Sequence, residues 1–532
     1  MNNEAKITYG GESENIAVSK TTGSLYSIQS KTLETAQSLV TRKDMKGKVP
    51  SQGYDSSRHL PEIGVGVWSS LLNSASALRE SVTALANTLQ TEGATLLSIS
   101  HHPTAGIRES YEEGVLPKPL YDILRGTLEG EPHVHPDVLP KVYAGWDNPE
   151  RARGWFHEVG TMAASAQPWN SVDKETAASQ IRAVQATGWL FNLLTANSPY
   201  AEGKETGKRD YRLEMWGPNG IMSTSRHAED RNLTENIPTD FTSLTGYYKY
   251  VLGNQRPMVV PTQVANGNAG EYKTKTRAVV QPNTEHFNAL DYLKSDTVQV
   301  VDMETGEKQK IKPSVAHICN AYDFLYFPRY GARLRLFLPN ADEIDPKKFA
   351  EAVENGDDIT FQKLLVQGGI NEKGGALCVE GRVAATVLPT EVHQSWDRFN
   401  LPFVLQTGIV RAHEAINGYF DKNEFSWYEL SHILPDNTNR AAKDGGFDAT
   451  VNTLDGKKIP VDQVATDVWN IAKKTLTKEE LELVGDEIDR MISNKQGPAE
   501  EQMEFVNKQV QDTMSLAQAL LGLITHQEIY LN

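Results

Sequence analysis

The chain has 532 residues, with 53 Lys or Arg against 69 Asp or Glu, a net charge of −16. That length allows two to four domains or one elaborated catalytic domain, and the acidic balance disfavours a nucleic-acid backbone or an anionic membrane as main partner. Two cysteines, Cys319 and Cys378, cannot build a disulfide framework or a Cys-based zinc site; with no basic-then-apolar leader and no run of about 18 apolar residues, a soluble cytoplasmic protein is expected.

KITYGGESENIAVS alternates as a strand does, and TTGSLYSI reads as a turn into a second strand. Residues 41–58 are polar and expected as loop. Leu71, Ala75, Leu78, Val82, Leu85 and Leu89 recur at helical spacing, with Ser69 or Ser70 as cap and Gly93 as stop. ATLLSIS then reads as a buried strand aimed at His101 and His102. Residues 112–150 are proline-rich and aperiodic, a long loop that suits a lid. The strand-like AASAQPWNSV precedes a helix capped by Asp173, with Ala183, Ala186, Leu190 and Leu194 on one face.

Residues 217–315 are mixed and loop-rich, apart from a hairpin turning at Thr305-Gly306. ARLRLFLP and RVAATVLPTEVH read as strands around a short helix, DPKKFAEAVENG, and a further helix is expected near 402–419. The last 70 residues are helical, with Met503, Val506, Val510, Ala517, Leu521 and Ile524 as an apolar stripe expected to pack in the core.

Glu12 and Glu14 lie two apart on a strand and share one face, and Glu62 sits in a second strand-like run. Three carboxylates together suit a hard cation such as magnesium, which bridges protein oxygens to nucleotide phosphates. Taken alone, a Glu-x-Glu pair also suits a solvated strand face. Phosphate-loop, dinucleotide-fold and nucleophile-elbow motifs are all missing from the sequence. The histidines of EPHVHP (131–136) and HHP (101–103) invite a zinc reading, but lack a helix-borne His-Glu-x-x-His.

Taken in order, HLPEIGVGVW (59–68), EGATLLSISHHP (92–103) and ANSPYAEGKETGKRDYR (196–212) resemble the glutamate–cysteine ligase family of ATP-dependent carboxylate–amine ligases. GGESEN resembles its opening strand and PEIGVGV the next, which implies metal-ligand roles for Glu12, Glu14 and Glu62. Ser100-His101-His102-Pro103 stands where the family has Gly-x-His-Pro. SAQPWNSVD resembles the strand that faces the nucleotide, which implies Gln167 and, with one extra residue between, Asn170; Arg153 and His157 are weaker candidates. The third run matches Asn197, Ser198, Pro199, Gly203, Thr206, Gly207, Tyr211 and Arg212, with Asn197 placed at the nucleotide and Arg212 at the chemistry.

LYFPRYGARL resembles the segment whose arginine faces the acidic substrate or phosphate, implying Arg329 first and Arg333 second. PTEVHQSWD resembles the Glu-x-Arg-x-x-Asp strand: Glu391 would be a metal ligand and Asp397 structural, while His393 stands in place of the arginine, whose phosphate contact would fall to another residue such as Arg382 or Arg398. NRAAKDGGFDA resembles a late nucleotide-side run and implies Arg440 and Lys443.

The resemblance implies an α+β fold of the glutamine synthetase superfamily, a curved, mainly antiparallel sheet forming a funnel with outer helices. Residues 1–455 would be catalytic, with 112–150 as lid, and 456–532 a helical region packed on them. It further implies ATP and Mg2+ as cofactors, an acyl phosphate intermediate, glutamate as the acid and cysteine or another amino acid or amine as acceptor, with no nucleic-acid or membrane partner; a homodimer is left open. A ligase for a different amine, a phosphotransferase of the same superfamily and a non-catalytic binding homologue remain as alternatives.

Overall fold

The computed structural model describes residues 7–106, 116, 163–216, 237, 239–254, 259–261, 276–280, 287–303, 305–319, 331–370, 374–431 and 446–531. Its centre is a six-stranded sheet built from β1 (Tyr9–Glu14), β3 (Ser51–Tyr54), β4 (Pro61–Trp68), β6 (Ala166–Val172), β7 (Ala332–Phe337) and β8 (Ala376–Gly381). The order is β7-β8-β6-β1-β4-β3 and every neighbouring pair is antiparallel. Among the described residues the sheet is open, not closed on itself. β2 (Ile16–Ser19) continues β1 past Asn15 and pairs with β5 (Ala94–Leu97), so the single N-terminal run expected from sequence serves two sheets.

The alternation that marks these strands separates a helix-covered face, on which helices pack among the described residues, from an opposite one, called the open face. Tyr9, Ser13, Ile63, Val65, Ala166, Leu334, Leu336, Leu377 and Val379 point to the covered face and are buried. Helix α1 (Leu71–Thr91) packs there on β1 and β4, α2 (Ala177–Ala186) on β7 and β8, and α4 (Asp397–Arg411) on β6. Each of the buried residues Leu78, Val82, Leu85 and Leu89 of α1 contributes about 1.5–3 kcal/mol through burial. Ser70 is the N-cap of α1, as expected, but its side chain makes no capping bond. Gly11 is needed here: a Cβ would meet Phe403 of α4 at 2.5 Å, so the close seat of that helix requires glycine.

Several expectations shift. Ser51–Tyr54, read as loop, is among the described residues an edge strand that pairs with β4. The single helix expected after Asp173 is two, α2 and α3 (Gly188–Thr195), broken at Thr187. The expected strand RVAATVLPTEVH lies too far along the chain: β8 ends at Gly381, and Pro389, which has no N–H for a ladder, falls in the irregular stretch that follows. The hairpin at Thr305-Gly306 forms as expected, Val298–Asp302 pairing with Lys308–Ile311 in a second, four-stranded sheet.

The terminal stripe is split between α5 (Pro498–Gln511) and α6 (Leu516–His526). Between them Thr513 takes a positive φ of 77°, which resets the helical phase. α6 therefore buries Ala519, Leu520, Leu523 and Ile524, and leaves Leu521 51% exposed and Val510 of α5 42% exposed. No described helix is long and apolar enough to cross a membrane.

Candidate functional site

On the open face, strand register sets side chains in rows. Arg333, Glu380, Trp169 and Gly10 lie side by side across β7, β8, β6 and β1. In the next row Gln167 stands beside Glu12, and Glu12 beside Gly64; further along, Glu14 lies directly opposite Glu62. The face thus has a carboxylate half on β1 and β4 and an arginine half on β7 and β8.

Glu380 anchors the arginine half. It is fully buried, and Arg333 grips it through two bonds, Nε to Oε2 at 2.7 Å and Nη2 to Oε1 at 2.9 Å. Arg382 Nη1 donates to the same Oε1 at 2.9 Å, and Arg335 Nη1 lies 3.5 Å from Oε2. Burial alone would raise the Glu380 pKa, but Arg333, Arg335 and Arg382 override it and hold it at about 2. Arg382 also donates to Gln167 Oε1, and Gln167 Nε2 donates to Glu14 Oε1 at 2.8 Å, so one chain of hydrogen bonds joins the two halves.

The carboxylate half has the opposite electrostatics. Burial, and then the charge of Glu380, pushes Glu12 up to about 7. Burial, and then the charge of Asp55, pushes Glu14 up to about 8, although Arg382 and the hydroxyl of Ser165, 2.8 Å from Oε2, pull the other way. Carboxylates held this reluctantly in their charged form want a cation. Among the described residues no three His, Cys, Asp or Glu side chains converge into a ready metal cage, but magnesium commonly takes one or two carboxylates and completes its shell with phosphate and water. The oxygen donors of Glu12, Glu14 and Glu62 fit that role.

A pH signature follows. A carboxyl whose folded pKa is raised adds stability below its unfolded value of 4.5, and that stability is lost as pH rises through the folded pKa, here about 7 and 8. Buried His101 and His102, lowered by burial to about 3 and about 4 from 6.5, work in the opposite sense, with a gain that fades above about pH 6.5. Between pH 6.5 and 8 the melting temperature of the ligand-free protein should therefore fall by about 2 °C or more. Thermal melts of E14Q should show a shallower fall; an equal slope would refute the assignment.

The other expected residues divide. Arg333 lies on the open face as described. Asn170 points to the covered face, where it donates to Thr407 Oγ1 at 3.1 Å and accepts from Gln406 Nε2 at 2.9 Å. The extra residue allowed after Gln167 breaks strand alternation, and Trp169 is the one that faces out. Asn197 is fully engaged in structure: its amide donates to Ser98 O at 3.1 Å and Thr386 O at 2.8 Å, and its oxygen accepts from Ser100 N at 2.9 Å and the Ser100 hydroxyl. Arg212 is buried and donates to Asp210 at 2.9 Å and to Val383 O at 2.5 Å.

Glu391 is not with the other glutamates. It is exposed in a bend beyond Pro389, off the sheet, and its neighbour His393 bonds Glu501 at 3.0 Å. Arg398 is paired with Glu487 and Glu501 at 2.5–2.7 Å, so it does not serve the open face. Asp397 opens α4. The Glu-x-Arg spacing sought at 391–393 occurs instead at Glu380-Gly381-Arg382, visible in the alternating run ALCVEGR. Arg335 and Trp169 were missed as well, and counting by twos from Arg333 and Gln167 finds them. Arg329, Arg440, Lys443, Arg153, His157, His133 and His135 lie outside the described residues, as does the 112–150 segment except Leu116.

His102 is structural: Nδ1 accepts from Ala105 N–H at 2.9 Å, so Nε2 carries the proton and donates to Gly23 O at 2.9 Å. In the 196–212 run, the hairpin of Tyr200–Ala201 and Lys204–Glu205 turns on Glu202 and Gly203 at φ 49° and 75°. Arg209, just beyond it, is fully buried and paired with Glu500 of α5 at 2.6 and 3.1 Å.

The chain is an α+β scaffold that carries glutamates and arginines on one open face of an antiparallel sheet, a set of side chains whose chemistry suits an anionic ligand with its counter-cation. In fold the chain is similar to the glutamate–cysteine ligase of Francisella tularensis, whose structure was determined in complex with AMP, with a TM-score of 0.50 at 11% identity over 98% of this chain and 89% of that one. Weaker likenesses are to a bifunctional glutathione synthetase from Pasteurella multocida, TM-score 0.43, 11% identity, 97% of this chain and 52% of that one, and to the complex of the prokaryotic ubiquitin-like protein Pup with its ligase PafA, TM-score 0.37, 9% identity, 99% and 74%. No curated protein matches the sequence. Residues 8–289 match glutamate-cysteine ligase family 2, and the chain belongs to that family.

Proposed function

We propose that this protein is an ATP-dependent ligase that joins a carboxylate, by family the γ-carboxyl of glutamate, to the amine of cysteine or another amino acid. The division of one sheet face into glutamates and arginines carries the reading. Glu12, Glu14 and Glu62 would hold magnesium, which supplies charge neutralisation for the ATP phosphates. Arg333, Arg335 and Arg382 face the charge that develops on the transferred phosphoryl group. The substrate carboxylate oxygen attacks the γ-phosphorus, the bond to the bridging oxygen breaks, and ADP leaves. The amine then attacks the acyl carbon; phosphate departs and takes up the amine proton, so the products are an amide, ADP and hydrogen phosphate.

We read the open face as one wall of a funnel, residues 1–455 as the catalytic unit and 456–532 as helices packed on it, with 112–150 as the lid that keeps water from the acyl phosphate. The AMP bound to the Francisella ligase supports a nucleotide here. The test is incubation with magnesium, ATP, glutamate and pooled amino acids, with mass measurement of any new amide and assay of ADP. E14Q and E62Q should each lower ADP release by about 100-fold or more. Product formation undiminished in both variants, or a phosphorylated product with no amide, would refute the reading.

A further inference from the structure

Trp169 stands on the open face between Glu380 of β8 and Gly10 of β1. The guanidinium of Arg335 lies 4.7 Å from its ring centroid and 5.0 Å from that of Phe337, and the two rings are 6.0 Å apart with planes inclined by 32°. Arg333 and Arg382 make close hydrogen bonds to Glu380, whereas Arg335 meets that carboxylate at 3.5 Å. Arg335 is thus laid against two aromatic faces.

We propose that Trp169 is a positioning residue: with Phe337 it fixes Arg335 so that the arginine half of the face is set before an anion arrives. A guanidinium stacked on an indole keeps its charge and its in-plane donors while losing little further freedom on binding. Placed charge of this kind stabilises an anion more than a side chain that must first be ordered. The inference rests on the reading that these arginines meet the phosphoryl group or the acid.

Calorimetric titration of the full-length protein with inorganic pyrophosphate in the presence of magnesium tests the inference without turnover, and steady-state kinetics with glutamate and ATP test it within the reaction. W169L should raise the pyrophosphate dissociation constant about 5- to 30-fold, and W169F, which keeps a ring face, should stay within about 3-fold of wild type. In an R335M background W169L should add less than about 2-fold. Should W169L not fold, W169M replaces it. Equal binding by W169L and W169F, a full W169L effect in R335M, or no pyrophosphate binding by the wild type overturns the inference. Pyrophosphate binding with the expected pattern but no amide product overturns the ligase reading and leaves the inference standing.

Discussion

E380Q is expected to cost about 3–5 kcal/mol of folding free energy and to lower ADP release by about two orders of magnitude. Glu380 is fully buried and ionised, and three guanidiniums converge on it. A neutral amide of the same shape can still accept hydrogen bonds, but it leaves three positive charges without their shared counter-charge. Arg333 loses the charge of the carboxylate that it grips through two bonds. The arginines then repel one another and turn towards Glu12, which disturbs the carboxylate half as well. Urea unfolding followed by circular dichroism measures the first effect and a coupled ADP assay the second. A variant as stable as wild type would show that the three arginines do not depend on Glu380.

The second large effect is at Glu500. With side-chain exposures of 0% and 1%, Arg209 and Glu500 form a pair shut off from water. Arg209 also donates to Leu193 O at 2.9 Å, and Glu500 also accepts from Gly497 N–H at 2.9 Å at the start of α5. E500A strands a buried guanidinium and should cost about 3–5 kcal/mol. The double replacement R209M/E500L removes both charges and should recover most of that loss, since a hydrophobic pair of similar volume is often no worse than a buried ion pair. Denaturant melts of the three proteins decide it: an E500A midpoint equal to wild type would mean the pair is not coupled to folding.

Much of the carboxylate half was legible in the sequence because it depends on local pattern. Glu12, Glu14 and Glu62 lie on short alternating strands, and a period of two fixes which side they face. Gln167 could be found in the same way, whereas Asn170 could not, because allowing one extra residue in a strand sends the side chain to the opposite face. The arginine half was harder to read. Its strands are separated by an inserted pair of helices, Pro346–Asn355 and Asp358–Gln367, so nothing local announces that β8 returns to pair with β7 and β6. The resemblance places a metal ligand at Glu391 and does not point to Glu380, and the sequence pattern does not reveal that the ladder stops at Gly381. The terminal stripe misled for a different reason: its period is unbroken on paper, but the chain turns at Thr513.

The family match ends at residue 289, whereas β7 and β8 begin at 332 and 376. A polypeptide stopped at 289 would keep the three glutamates of the open face, Glu12, Glu14 and Glu62, and still lack Arg333, Arg335, Glu380 and Arg382. It would also turn β6 into a boundary strand, its backbone from Trp169 to Val172 stripped of the partner that β8 supplies. Bare ladders of this kind recruit other chains and aggregate. The portion that carries the family signature thus holds the glutamate half of the face, and the arginine half is supplied by chain that lies beyond it.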